Sequence, residues 1–155
     1  MMVKLLSAVL FAMVGLAPAP ASDPLSSLRF LVGTWNCTYQ AAKAHVTYKA
    51  TFSYDMNDNW MRERDSWTGG GGDEGLFTYE PKRHSWTEVV VEGERTATVF
   101  RGAGSDPNHV VYRSIYPDST MTDIFDHKSP TRYTLHFTQN AGGKTVESTD
   151  TCVKA

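Results

Sequence analysis

Only two cysteines occur in the 155-residue chain, Cys37 and Cys152, and they stand near opposite ends of what reads as one domain. In an oxidising compartment a bond between them would tie the first strand-like segment to the last. A closed up-and-down β-barrel is the simplest architecture that brings two such segments side by side. Closing so long a loop stabilises by about 4–5 kcal/mol in the chain-entropy model. Two separately buried thiols are the alternative.

The compartment follows from the first 21 residues. Lys4 supplies a positive start, Leu5–Leu16 is an apolar run, and Ala19-Pro20-Ala21 offers the small residues that a signal peptidase reads. Spanning a bilayer takes about 20 apolar residues, more than this run provides. The expectation is a signal peptide over 1–21, cleavage near Ala21, and a secreted or periplasmic protein without a membrane span. Residues 22–155 then suit a single domain with its own core. Loss of Lys4 leaves 14 of the 15 basic residues against 17 acidic ones. That near balance argues against nucleic acid or an anionic membrane as partner.

Local patterning predicts strands almost throughout. Asp23 can cap a short helix over Pro24–Val32, with Pro24 in its first position and Leu25, Leu28 and Leu31 on one face. The clearest alternation is His45–Tyr54, where Val46, Tyr48, Ala50, Phe52 and Tyr54 share one side. Trp60–Thr68 follows after a turn. Gly69–Gly75 reads as a flexible connection. Further strands are expected at Leu76–Tyr79, Ser85–Glu92, Arg95–Arg101, His109–Tyr116, Thr120–His127, Arg132–Thr138 and Lys144–Lys154. With Trp35–Ala42 they make ten. No segment is long enough for a helical crossover, so the sheet is expected to be antiparallel.

The third strand carries charge on both faces: Trp60, Arg62 and Arg64 on one, Met61, Glu63, Asp65 and Trp67 on the other. If Tyr54 and Trp60 face each other across a five-residue turn, Trp60 and both arginines point inward, suited to a carboxylate or phosphate. The alternative is a strand end beyond the core with both faces solvated. The five histidines lie on or beside separate strands with no metal-ligand spacing. Ser105 stands one place off a nucleophile-elbow pattern, and the glycine run 69–72 lacks the Lys of a phosphate loop. Glu147 and Asp150 are expected to pair with arginines across the barrel seam. Trp35, backed by Leu28 and Leu31, is expected to pack the floor.

Gly33-Thr34-Trp35-x-Cys37, the aromatic strand Tyr48–Tyr54, Trp60, Tyr79-Glu80-Pro81, Trp86 and the late Cys152 occur in an order that resembles the calycin superfamily. More closely, it is similar to a set of secreted bacterial barrels of unknown function related to lipocalins and nitrobindin-like haem barrels. The resemblance implies a barrel whose interior holds a small apolar molecule. The haem relatives use a late-strand histidine, for which His136 is the nearest counterpart here.

Together these readings give an all-β protein: an antiparallel up-and-down barrel of about ten strands with a short N-terminal helix. Its expected function is non-enzymatic binding of a small, largely apolar ligand, without a cofactor. Val46, Tyr48, Phe52, Trp60 and Phe137 would contact the ligand, and Arg62 or Arg64 would meet a polar head. The alternatives are a haem protein using His136, or an isomerase or cyclase using a desolvated carboxylate such as Glu63. The last requires Glu63 to face inward with an elevated pKa.

Overall fold

The computed structural model describes residues 23–93 and 95–155, so the signal peptide expected over 1–21 lies outside the described residues. The Asp23 carboxylate accepts a hydrogen bond from the Leu25 amide (3.1 Å), and α1 (Pro24–Ser27) follows with Pro24 at its start. A 3-10 segment, Leu28–Leu31, continues it. The expected single helix is thus two short pieces. Leucines at every third residue fit that arrangement, because a 3-10 turn has three residues and stacks them on one side. Leu25, Leu28 and Leu31 are all buried.

Ten antiparallel strands then close on themselves. They are β1 (Gly33–Ala41), β2 (Ala44–Asp55), β3 (Trp60–Trp67), β4 (Asp73–Glu80), β5 (Ser85–Glu92), β6 (Thr96–Ala103), β7 (His109–Tyr116), β8 (Met121–Ser129), β9 (Arg132–Ala141) and β10 (Lys144–Lys154). Each pairs with its sequence neighbours, and β1 pairs with β10 to complete the ring. Closure leaves no strand edge for another chain to extend. At the seam Cys37 and Cys152 are directly opposite, their Cα atoms 4.1 Å apart, and form the disulfide.

Both cysteines are buried on the inner face. The Tyr133 hydroxyl lies 3.7 Å from Cys37 Sγ and the Tyr48 hydroxyl 3.9 Å from Cys152 Sγ. The bond therefore sits inside the barrel wall.

The two ends of the barrel differ. One is stoppered by α1 and the 3-10 segment, whose leucines meet Phe52, Phe77, Phe125 and Tyr133. Each fully buried leucine contributes about 1.5–3 kcal/mol. Trp35 forms the floor as expected: it is fully buried, its indole N–H donates to the Leu31 carbonyl (2.6 Å), and Tyr133 packs edge-on at 4.9 Å. Lys154 reaches across, donating to the Phe30 carbonyl (2.6 Å) with its ammonium 5.2 Å above the Trp35 ring. That charge satisfies a carbonyl at the end of the 3-10 segment. The opposite end carries the β1–β2, β3–β4, β5–β6, β7–β8 and β9–β10 connections.

Candidate ligand-binding chamber

The face that β3 turns inward is decided by the turn before it. Asp55 pairs with Trp60 and Tyr54 with Met61, so Met56–Asn59 is a four-residue turn. Met56, Asn57 and Asp58 all adopt the left-handed conformation (φ 49°, 58° and 62°), and Asn59 donates to the Met56 and Asn57 carbonyls. Relative to the expected five-residue turn the register moves by one, and a slip of one exchanges the faces of a strand. Met61, Glu63, Asp65 and Trp67 point inward. Trp60, Arg62 and Arg64 point outward, which corrects the expectation for all three. Arg62 Nε donates to Asp55 (2.7 Å) and Arg64 Nε to Glu74 (2.9 Å), with Arg62 also bridging to Glu74. These are outer-surface ion pairs.

Inside the wall is a chamber of about 560 Å³ that opens at the end away from the helix. Such a volume is within the range of small-molecule sites. Seven carboxylates line it: Glu63 and Asp65 on β3, Asp73 on β4, Glu88 and Glu92 on β5, Asp123 on β8 and Asp150 on β10. Among the described residues the lining contains no lysine, arginine or histidine. Its aromatic lining comprises a cluster on β1–β3, with Trp67 between Tyr48 (4.4 Å) and Tyr39 (5.9 Å), and, elsewhere around the ring, Phe100 on β6 and Phe137 on β9. Below it, Glu63 and Glu88 also border a void of about 30 Å³ against Leu28, Leu31 and Phe52.

Like charges gathered away from water cannot all ionise, and the acids shift accordingly. Burial, then Asp65, Glu88, Asp73 and Asp123, push Glu63 well above the ordinary carboxylate range. Burial and Asp73 push Asp65 up to about 9. Glu88 is raised to about 8 by burial and Asp123, while Asp123 and Asp150 are each raised to about 7, chiefly by burial. Oxygens of Asp65, Glu88, Asp123 and Asp150 are buried without a hydrogen-bonding partner from the protein. Tyr48, Tyr112 and Tyr133 are raised as well, by burial and by these acids.

Of the residues singled out from the sequence, Tyr48 and Phe137 line the chamber. Phe52 borders the deeper void. Val46 is half-buried and paired with Tyr39 near the mouth, outside the lining. His136 is on the outer face: Leu135 and Phe137 beside it line the chamber, while its ring bonds to the Thr149 hydroxyl (3.1 Å). A haem in the chamber could not be held by His136, and the donor set around it is carboxylate, not imidazole. Asp150 faces the chamber and no arginine, contrary to the expected seam pair. Glu63 meets its stated condition.

The acidic lining is obscured in the sequence because its members are scattered over five strands, no more than two to a strand. The expected loop over Gly69–Gly75 also concealed Asp73 and Gly75, which belong to β4. Alternation offered a usable signal: Glu88, Asp123 and Asp150 each share an inward face with an aromatic or cysteine two residues away, namely Trp86, Phe125 and Cys152.

Stoppered at one end and open at the other, the molecule is a closed, ten-stranded, antiparallel up-and-down β-barrel. No family model matches the chain, and no curated protein matches it. Among solved structures it is similar to an S-type phycobiliprotein lyase, CPES, from Guillardia theta. The TM-score is 0.58 at 11% identity, covering 86% of this chain and 93% of that one. The likeness is one of fold.

Proposed function

We propose that this protein is an exported, non-enzymatic barrel that binds a small molecule with a largely apolar body. The observation carrying this reading is the chamber itself, ligand-sized, open at one end and with Tyr48, Trp67, Phe100 and Phe137 in its lining. A barrel serving only as a structural element would fill its interior with side chains. The phycobiliprotein lyase of similar fold supports reading such barrels as small-molecule proteins. Acid–base catalysis by Glu63, raised by burial and the neighbouring acids, is the second reading, and the same geometry favours it.

Native mass spectrometry of protein isolated gently from its secreting host tests this. The expected spectrum shows an adduct of drug-like mass beside the polypeptide. Bare polypeptide alone, together with no thermal shift across a small-molecule library, would overturn the reading. N-terminal sequencing of the same sample is expected to start at Ser22; an intact Met1 would remove the export step.

A further inference from the structure

Resting on that reading, we propose that the ligand is an organic cation: an ammonium or related group, carried on an apolar body, whose charge is met by Glu63, Glu88, Asp123 and Asp150.

Charge segregation is the first support. The chain is nearly balanced, with 15 basic and 17 acidic residues, yet among the described residues seven acids and no base line the chamber. The arginines of β3 are one residue away in sequence but on the other side of the wall, committed to Asp55 and Glu74. Buried acids are ordinarily matched by a base or a hydrogen-bond donor. The Glu88 and Asp123 side chains line the chamber, and each carries a buried oxygen with no donor from the protein. A cation entering the chamber supplies the missing partner.

The form of the cation follows from the geometry. The acids stand on five strands around the wall, and among the described residues no three converge closely enough to hold a metal ion. The chamber also exceeds what a bare ion needs, and its lining includes aromatic rings. Trp67, flanked by Tyr39 and Tyr48, offers ring faces of the kind that attract ammonium groups. An amine with an apolar body uses both the acids and the aromatic rings of the lining; a carboxylate or phosphate would meet seven acids.

Ionisation of the acids is linked to this occupancy. A cation favours their charged forms, so binding displaces protons from groups that burial and mutual repulsion hold protonated. The groups facing Glu63 are Asp65, Asp73, Glu88 and Asp123, with the Tyr48, Tyr112 and Tyr133 hydroxyls nearby.

Three probes of one skeleton test the inference: 4-phenylbutylamine, 4-phenylbutanol and 4-phenylbutyrate, each titrated against the purified protein at pH 7.5 and followed by Trp fluorescence and calorimetry. The amine is expected to bind at least ~10-fold tighter than the alcohol, equivalent to about 1.4 kcal/mol, and the acid more weakly than either. Calorimetry in two buffers of different ionisation enthalpy should show protons released with the amine and not with the alcohol. In Glu63→Gln/Glu88→Gln the amine and alcohol affinities should converge. Glu88→Gln alone, expected to narrow the gap, serves if the double variant does not fold. Equal binding of amine and alcohol to the native protein would overturn the cation inference and leave small-molecule binding standing. Failure of all three, with a bare mass in the native spectrum, would remove both.

Discussion

Gly75 stands directly across from Glu63 in the β3–β4 ladder, and a β-carbon on it would lie 3.4 Å from the Glu63 carboxylate. Glycine weakens a strand interior and commonly marks a close approach; here it leaves the carboxylate its place in the chamber. Gly75→Leu should therefore fill the space from β4 while keeping the barrel. Far-UV circular dichroism is expected to be unchanged and amine binding lost. Retained amine binding by the variant would place the ligand elsewhere.

Stability should fall as pH rises, the reverse of common acid denaturation. Asp65 at about 9, Glu88 at about 8, and Asp123 and Asp150 at about 7 all exceed their ordinary values of 3.8 or 4.5. Where folded pKa values are raised, the unfolded chain releases its protons first, so added base favours unfolding. This contribution is complete below about pH 4 and is lost progressively up to about pH 9. Exposed acids lowered by partners, such as Asp55 and Glu74, act oppositely below about pH 4, and solvent screening keeps their effect small. Thermal melts of the ligand-free protein should give a higher Tm at pH 5 than at pH 9. Asp65→Asn should flatten that slope.

Arg62→Ala distinguishes the two faces of β3. Because Arg62 meets Asp55 and Glu74 outside the wall, the variant should bind the amine with unchanged affinity. Glu63→Gln, one residue along and inside, should weaken it several-fold. A matching loss in both would mean the register described here is wrong.

The seam bond closes a loop with a sequence separation of 115. Cys37→Ala/Cys152→Ala is expected to lose about 2–5 kcal/mol of unfolding free energy in urea titrations. Leu28→Ala, beside the small void at the stoppered end, should cost about 2–5 kcal/mol by enlarging a cavity. Neither change removes a chamber acid. Amine affinity at low temperature should survive both.

Much of the architecture was readable in residue order. The cysteine pair and the strict alternation of Val46–Tyr54 led to ten antiparallel strands closed at Cys37–Cys152. The chamber was less legible for a physical reason. One residue more or fewer in the Met56–Asn59 turn exchanges Arg62 for Glu63 at the interior, and three successive left-handed residues are not encoded by a simple turn motif. Likewise, the glycines before Asp73 mask the start of β4, so a chamber acid reads as loop. Asp123 and Asp150 are individually ordinary; only closure of the ring brings them to Glu63 and Glu88.

Because α1 and the 3-10 segment cork one end, the chamber among the described residues opens at the other, where the β1–β2, β3–β4, β5–β6, β7–β8 and β9–β10 connections lie. On the binding reading, the residence time of a guest would be set at that rim, away from the leucines that plug the base, so exchange and packing of the floor can be altered separately.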